Sequence, residues 1–283
     1  MSTRSLVAAN SAKMRSSQLT PSHRRMLMKY KLRPSGSARW LACPASLVLE
    51  AGVAPEKRDD LHAAYLGSAT HELLEMCIKQ QKRAEAFRGE FITVFDEEYQ
   101  NFPYVKQVDE SMINTANFFI EEVGEAIEGS EVYAELEMEH SELPELRGTA
   151  DYVCINGDHA LLADLKNGTG IVQVQKRDGT LNTQLLSYAS MIFDKFEQVN
   201  SVTLAIIQPN GKTKKKTRST GVNREICKIF LDRVKEAAKL ADEATEETLD
   251  TITSEGSHCW FCRAKDICPA RGKAEILKDF GGS

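Results

Sequence analysis

Two sets of residues in this sequence have the types and spacing that chemistry requires. Three cysteines near the C-terminus, Cys259, Cys262 and Cys268, form a C-x2-C-x5-C pattern, and Cys43 lies far upstream in WLACPAS. Four thiolates can hold a tetrahedral metal or an iron–sulfur cluster, and a C-x2-C turn directs two sulfurs toward one metal. A distant cysteine joined to a compact triplet would tie the two ends of the chain together.

The second set is acidic and lies in the middle of the chain. Asp151 stands in GTADYV, and Asp164 and Lys166 stand in LLADLKNG. Residues i and i+2 of a strand share a face, so Asp164 and Lys166 project together, and a hairpin would bring Asp151 alongside. Two carboxylates and a histidine suit Mg²⁺ or Mn²⁺. The metal would lower the pKa of a water and neutralise transition-state charge, while the lysine positions that water and helps to deprotonate it for attack on phosphorus.

Each of these residues also has a purely structural interpretation. An Asp-x-Lys pair in a strand is commonly a solvated ion pair. His71 falls at helical spacing with Leu74 and Ile78 and fits an apolar helix face. Glu135 fits the polar face of a strand. Asp151 is harder to explain in this way, because it interrupts a run that otherwise reads as buried strand, so the order of the whole set carries the functional argument.

Composition limits the class of protein. The 283 residues, with 42% hydrophobic and 27% charged side chains, describe an ordinary soluble globular chain. No apolar run approaches the roughly 18 residues that span a membrane, and the short LVAA run near the N-terminus is too little for a secretory signal. Seven cysteines are an odd number, which favours a reducing cytoplasm over a disulfide framework. The net charge of −5 does not exclude nucleic acid, because a local groove can bind it.

Periodicity predicts the elements that position these residues. Helices are expected at 35–49, 68–86 (with Ser68 as N-cap), about 104–128, 181–196 and 223–245. Strands are expected at 131–140, 147–155, 159–167 and 201–207, with a tight turn at 156–158. This order favours an α/β or α+β three-layer core, a mixed sheet flanked by helices. The expected segments are a flexible arm (1–31), a helical N-terminal part (32–130), a core (131–222) and a C-terminal helix with the cysteine segment (223–283).

The order of the motifs resembles the RecB-like branch of the PD-(D/E)XK nucleases. In that branch a helical histidine, a strand-end aspartate, a (D/E)-x-K strand and a Q-x3-Y helix follow one another. Here these positions read His71 in GSATHELLE, Asp151 in GTAD, Asp164-Leu165-Lys166, and Gln184-x3-Tyr188 in NTQLLSYA. The cysteine pattern resembles the AddB-type arrangement. RPSGSARWLACPAS, DLKNGTG and CRAKDICPAR are similar to a phage-encoded subfamily of small stand-alone nucleases, over about residues 33–275.

The resemblance implies a restriction-endonuclease-like fold and a defined site. His71, Asp151, Asp164 and the backbone carbonyl of Leu165 would hold Mg²⁺ or Mn²⁺, and Lys166 would orient the attacking water. Glu135 would support the site or a second metal, and Gln184 and Tyr188 would line the groove beside the scissile phosphate. The four cysteines would hold a [4Fe–4S] cluster, with structural Zn²⁺ as the alternative. A basic run is expected either to contact phosphates or to be a solvated loop: Lys212, Lys214, Lys215, Lys216 and Arg218.

The function that follows from the resemblance is metal-dependent DNA hydrolysis, exonucleolytic rather than endonucleolytic, in phage recombination, replication or repair inside the bacterial cytoplasm. DNA is the expected partner, with a phage single-strand-binding or recombination protein as a candidate and no membrane. A non-catalytic nucleic-acid-binding or assembly subunit is the alternative, although this chain retains Asp151, Asp164 and Lys166. A zinc protein without nuclease activity would leave the acidic set unexplained. No GxxxxGK[ST] motif occurs, so any unwinding would come from another protein.

Overall fold

A five-stranded mixed sheet forms the centre of the protein, as seen in a computed structural model that describes residues 30–53, 62–95 and 103–270. Its strands follow one another in chain order across the sheet: β3 (Glu131–His140), β4 (Leu143–Asn156), β5 (His159–Leu165), β6 (Ser201–Ile207) and β7 (Thr217–Asn223). β5 and β6 are parallel, whereas the other neighbours are antiparallel. A separate two-stranded hairpin consists of β1 (Phe91–Val94) and β2 (Tyr104–Gln107).

Helices cover both faces of this sheet. They are α1 (Ser37–Ala42), α2 (Ala45–Ala51), α3 (His62–Gln80), α4 (Glu110–Val123), α5 (Thr183–Lys195) and α6 (Arg224–Asp242). The strand face toward α5 and α6 carries Val153, Leu162 and Leu204. The opposite face packs Tyr152 and Leu165 against α3 and α4. Alternate residues of each strand therefore feed two apolar layers, which is the arrangement expected of a sheet that is buried on both sides.

The predicted fold class is confirmed, and so are two strands. β3 and β6 have the predicted bounds, and the predicted tight turn contains Gly157 in a left-handed conformation at φ 59°. β4 begins earlier and β5 ends earlier than predicted, at Leu143 and Leu165. Tyr30 donates a hydrogen bond to the Ala238 carbonyl at 2.7 Å, so the fold includes the end of the predicted arm. Residues 1–29 of that arm and 271–283 of the C-terminal segment lie outside the described residues.

Several predicted bounds are wrong, and each has a local cause. The helix predicted at 104–128 starts at Glu110, because Asp109 caps it by accepting from the Met112 amide, and residues 104–107 are strand β2. The helix predicted at 68–86 runs from 62 to 80, with Ser68 inside it rather than at its N-cap. Strand β7 was missed because its apolar pattern is weak: only Val222 is a buried hydrophobic side chain. No helix of the described residues is long and apolar enough to cross a membrane.

The turn at Pro34–Gly36 packs against β4, and this contact can be tested at Gly148. A Cβ at this position would lie 2.9 Å from Pro34 Cδ and 3.3 Å from Tyr188 Cε1. Gly148→Ala should therefore lower the free energy of unfolding by about 1–3 kcal/mol through overpacking. Gly221→Ala is the matched control in β7, since nothing lies within 4 Å of its added Cβ. Chemical denaturation of both variants measures the difference, and equal stability would mean that this contact is loose.

Candidate active site

Three ligand atoms from three elements converge at one end of the sheet. His71 comes from α3, Glu135 from β3 and Asp151 from β4, and their ligand atoms lie within 4.8 Å of one another. His71 Nδ1 is 3.3 Å from Asp151 Oδ1 and 3.8 Å from Glu135 Oε1. The second oxygen of Asp151 accepts a 2.7 Å hydrogen bond from the Leu165 amide, which joins this group to the end of β5.

Glu135 reaches the histidine through a break in its strand. Its φ of 49° is left-handed, which is uncommon for a residue with a side chain. The pairing of β3 with β4 continues on both sides, between Ala134 and Tyr152 and between Leu136 and Ala150. A strict alternation would have left Glu135 on the plain polar face of the strand. Strain of this kind persists where the surroundings enforce it, and it concentrates at functional sites.

A second group lies beside the first. Lys166 Nζ forms an ion pair with Asp164 Oδ2 at 2.8 Å and donates to Gln184 Oε1 at 3.0 Å. The Gln184 amide nitrogen in turn donates to Asp164 Oδ1 at 3.0 Å. Asp164 lies on the sheet face toward α5, where Asn182 caps the helix and fixes its first turn, including Gln184. The three side chains thus form a closed ring with Asp164 buried at 3% exposure.

Burial and mutual repulsion set the protonation of the carboxylates. Desolvation and the nearby Asp151 charge raise the pKa of Asp164 to about 6, although Lys166 opposes the shift. Burial also disfavours the charged form of Asp151, but His71 and the Leu165 amide outweigh it and lower that pKa. Burial alone would lower the pKa of His71, yet the Asp151 and Glu135 carboxylates raise it to about 10. The site therefore holds an excess of negative charge that needs a cation.

The residues present fit a hard divalent cation. Two carboxylates and an imidazole within reach of one point suit Mg²⁺ or Mn²⁺. Asp164 Oδ2 is buried and pairs with Lys166 Nζ at 2.8 Å, and the second lone pair of this carboxylate oxygen remains for a ligand. Leu165 makes its observed contact through its amide, which donates to Asp151, so its carbonyl stays a proposed ligand.

Comparison with known proteins places the chain in a family. A family profile described as "Protein of unknown function (DUF2800)" matches residues 30–279. The chain belongs to the DUF2800 family. Among solved structures it is similar to the crystal structure of SSO0001, at 11% identity and a TM-score of 0.39, over 86% of this chain and 87% of that one. It is also similar to a "Putative exonuclease" from Eubacterium rectale, at 12% identity and a TM-score of 0.45, over 96% and 99%. At these TM-scores the function has to be argued from the site.

Tyr188 lies one helical turn beyond Gln184 in this DUF2800 protein. Its ring is buried and packs near Gly148. Burial and the Asp151 and Asp164 carboxylates raise the pKa of its hydroxyl above the usual range. The hydroxyl is therefore a neutral group at the edge of the acidic site. Gln184 and Tyr188 both lie in α5, four residues apart, and their shared role beside the substrate stays a prediction.

The basic run is divided between exposed and buried positions. Lys212, Lys214 and Lys215 are exposed, and Lys216 is partly buried and donates to the Gly211 carbonyl at 2.8 Å. Arg218 was expected to contact phosphate, but it is buried within the described residues of this DUF2800 chain, and its guanidinium donates to Lys215 O and Gln208 Oε1. The expectation that Arg218 contacts phosphate directly is therefore wrong, because its side chain faces inward.

The structure brings the two chain ends together at the cysteines. Cys43 Sγ accepts from the Ser254 amide at 3.4 Å, and Cys262 packs beside the buried Cys43. Arg39 donates to the Phe261 carbonyl, and the Arg263 amide donates to Glu50 at 2.8 Å. Burial raises the pKa of Cys43, and the neighbouring Cys268 and Cys259 raise it further. Burial likewise raises the pKa of Cys262 to about 11.

The spacing of the sulfurs bears on which metal they fit. A tetrahedral Zn²⁺ with bonds of about 2.3 Å would hold thiolates roughly 4 Å apart. Among the described residues no three cysteine sulfurs lie within 4.8 Å of one another, whereas the ligand atoms of His71, Glu135 and Asp151 do. Trp40 is buried beside this region, but Trp260 and Phe261 are 81% and 71% exposed. Those two aromatic side chains therefore do not shield the cysteines.

The elevated pKa of His71 predicts proton release on metal binding. An imidazole must be neutral to bind a metal, and this one has a pKa of about 10 instead of 6.5 in the metal-free protein. Manganese affinity should therefore rise with pH between about 7 and 9. Calorimetry in buffers of different ionisation enthalpy measures the protons released. His71→Gln should weaken binding and abolish the release, whereas a change in melting temperature alone would mark His71 as a core residue.

The same shift fixes the sign of the pH dependence of stability without metal. Because the folded-state pKa of His71 is raised, its stabilising contribution is complete below 6.5 and is lost as pH rises through about 10. Metal-free protein should therefore lose stability across this window. Urea denaturation of wild type and His71→Gln at matched pH isolates the contribution. Parallel curves for the two proteins would contradict it.

Because the backbone at Glu135 is strained, replacing this residue with glycine should relieve strain in the metal-free protein while weakening metal binding. Glu135→Gly and Glu135→Gln both remove the carboxylate, but only glycine relieves the left-handed backbone. Metal-free Glu135→Gly should be more stable than Glu135→Gln by about 1 kcal/mol. Both variants should need more manganese for occupancy. Denaturation and manganese titration measure the two effects, and equal stabilities would show that the backbone is not strained.

Proposed function

We propose that this protein is a Mg²⁺- or Mn²⁺-dependent deoxyribonuclease that hydrolyses phosphodiester bonds, as an exonuclease rather than an endonuclease. One observation carries the proposal. The His71, Glu135 and Asp151 ligand group and the Asp164, Lys166 and Gln184 ring share one end of the sheet, where Asp151 links them through the Leu165 amide. Simple ion pairing at a surface would need neither a carboxylate buried to 3% exposure, as Asp164 is, nor a left-handed backbone at Glu135.

Lys166 and Gln184 have separate roles in the proposed attack of water on phosphorus. When bound, a divalent ion supplies Lewis-acid activation and charge neutralisation. Lys166 remains protonated in the metal-free protein: burial lowers its pKa, but Asp164 and Asp151 together raise it by more. Its ammonium therefore orients the attacking water and stabilises developing negative charge, and is not the proton acceptor. Gln184 fixes the positions of Lys166 and Asp164 through one hydrogen bond to each.

DNA is the proposed substrate, in phage recombination, replication or repair within a bacterial cytoplasm. The exposed Lys212, Lys214 and Lys215 lie on the loop that precedes β7, and the Lys212 amide donates to the carbonyl of Thr169, three residues past Lys166. This contact puts the basic loop at the rim of the site, where phosphates would neutralise its charge. A phage single-strand-binding or recombination protein is the proposed protein partner.

A [4Fe–4S] cluster is proposed at Cys43, Cys259, Cys262 and Cys268, with structural Zn²⁺ as the alternative. Cys43 and Cys262 pack in one cluster, Cys268 and Cys259 lie near Cys43, and no three of the described cysteine sulfurs lie within 4.8 Å of one another. A cluster places an iron at each thiolate and so accepts wider spacing. Its role here would be to fasten residues 254–268 to α1 and α2.

The catalytic assignment predicts loss of cleavage without loss of fold. Asp164→Ala and Lys166→Ala should each reduce cleavage of end-labelled DNA with manganese by about a thousandfold or more, since both act on transition-state charge. Melting temperature and DNA affinity should stay close to wild type. Lys235→Ala, which breaks an ion pair with Glu142, is the matched control and should cleave normally.

Linear single-stranded, linear double-stranded and circular substrates tested in parallel report the need for an end and the polarity of cleavage. Wild-type rates in Asp164→Ala or Lys166→Ala would show that the active site lies elsewhere. DNA binding by the wild-type protein without cleavage in any metal would instead support the non-catalytic subunit.

The cluster predicts a chromophore that depends on Cys43. Cys43→Ser should lose visible absorbance and iron, and its melting temperature should fall, because the metal-binding free energy contributes to folding. Cys154→Ser, outside the cysteine cluster, is the matched control and should keep both iron and colour. Wild-type iron content in Cys43→Ser would remove Cys43 from the ligand set, and colourless zinc-loaded wild type would replace the cluster by Zn²⁺.

A further inference from the structure

An exposed turn next to the catalytic strand presents backbone donors to solvent. Gly168, Thr169 and Gly170 begin two residues after Lys166, and all three are exposed. Gln208 Nε2 donates to the carbonyl oxygens of Gly168 at 2.8 Å and Gly170 at 2.6 Å, and the Lys212 amide donates to the Thr169 carbonyl at 3.0 Å. Across the described part of the chain, the amide N–H groups of the three residues donate to no protein group. The carbonyl oxygens of the turn are therefore occupied by hydrogen bonds to Gln208 and Lys212, whereas its N–H groups remain free to bind a ligand.

Gln208 fixes this turn from below. Its side chain is fully buried, and its oxygen accepts from the Val172 amide at 3.2 Å and from Arg218 at 2.7 Å. Together with the two bonds from its nitrogen, the whole amide is satisfied. A Cβ on Gly211 would lie 2.8 Å from Gln208 Cδ, so the adjoining basic loop packs directly on it. One side chain thus sets both loops at the rim of the site.

Arg218 adds an uncompensated charge behind the turn. It is 7% exposed, its two terminal nitrogens donate to neutral oxygens, and its Nε has no partner among the described residues. No carboxylate pairs with it in the described part of the chain. A buried cation without a counter-charge is costly. An anion seated on the turn would supply the missing negative charge.

We propose that residues 168–170 form a backbone phosphate-binding loop, which takes a non-scissile phosphate of the substrate strand next to the bond at Lys166. Successive backbone N–H groups in an exposed turn make an anion-binding concavity. Arg218 contributes positive potential from beneath, and the exposed Lys212, Lys214 and Lys215 extend the site along the strand. This inference rests on the proposed nuclease function, because it assigns the way in which that site holds its substrate.

Removing one amide proton tests the loop. Thr169→Pro lacks the N–H, whereas Thr169→Ala keeps it and controls for the lost hydroxyl and methyl groups. Both are made in full-length Asp164→Ala protein, so that cleavage does not consume the oligonucleotide. Fluorescence anisotropy with a labelled single strand should show that Thr169→Pro binds about tenfold more weakly than Thr169→Ala, the loss of one hydrogen bond to a charged oxygen. The salt dependence should stay the same, since no charge changes.

A methylphosphonate scan identifies the phosphate involved. Replacing one phosphate at a time by neutral methylphosphonate should weaken binding at one position for Thr169→Ala, and that loss should shrink for Thr169→Pro. If Thr169→Pro does not fold, Gly170→Pro and Gly170→Ala repeat the comparison at the next amide. Equal affinity within the proline and alanine pair would overturn the loop. Because cleavage by the wild-type chain is measured separately, such a result would leave the nuclease assignment standing, and absence of cleavage would remove only that assignment.

Discussion

Crowded negative charge on partly or fully buried side chains is the constraint on which the candidate site depends. Glu135, Asp151 and Asp164 lie near one another, with Asp164 almost fully buried. Ionised carboxylates in such a place repel, so one of them resists ionisation unless cations intervene. In the metal-free protein His71 and Lys166 serve as those cations, which explains why both hold their protons so firmly. A divalent ion would displace the proton from His71 but leave Lys166 charged, so the two cations are not equivalent. In the proposed reaction, His71 would mark where the metal binds, and Lys166 would mark where charge develops.

Hydrogen bonds from neighbouring elements hold these charged side chains in place. Asp151 is fixed by the Leu165 amide, and Asp164 by the first turn of α5 through Gln184. β5 carries Asp164 between an antiparallel neighbour and a parallel one, so the end of β5 lies beside the end of β6 at Ile207. Gln208 follows directly, and it ties the turn after Lys166 to the basic loop. The site therefore lies at an end of the sheet where hydrogen bonds of the Asp151, Gln184 and Gln208 side chains hold separate segments of the chain together.

Local pattern predicted the parts of the site that follow a single period. Asp164 and Lys166 obey the strand period, and Gln184 and Tyr188 obey the helix period, so both pairs were predicted to share a face. Two other features could not be predicted because they depend on tertiary contacts. Glu135 breaks its strand's alternation through a left-handed φ, for which no glycine or turn residue gives a signal. Arg218 belongs to a charged run in sequence, yet β7 turns it inward onto Gln208, a pairing between segments whose geometry no periodicity encodes. The predicted start of a helix was wrong where a capping residue, Asp109, begins the helix inside a continuous apolar pattern.

A chain of hydrogen bonds connects the cysteine segment to the candidate active site, although the two lie apart in sequence. Arg39 and Glu50 hold residues 261–263 against α1 and α2. Ser37, at the start of α1, hydrogen-bonds Thr183 at 2.7 Å, and Thr183 begins the helix that carries Gln184. Trp40 donates to the Arg33 carbonyl, which orders the turn whose Pro34 packs on Gly148 near Tyr188. A cluster at the four cysteines would therefore stabilise the surface on which α5 rests. Its contribution to activity would act through the orientation of Gln184 and Tyr188, so electron transfer is not needed to explain why a hydrolase would keep it.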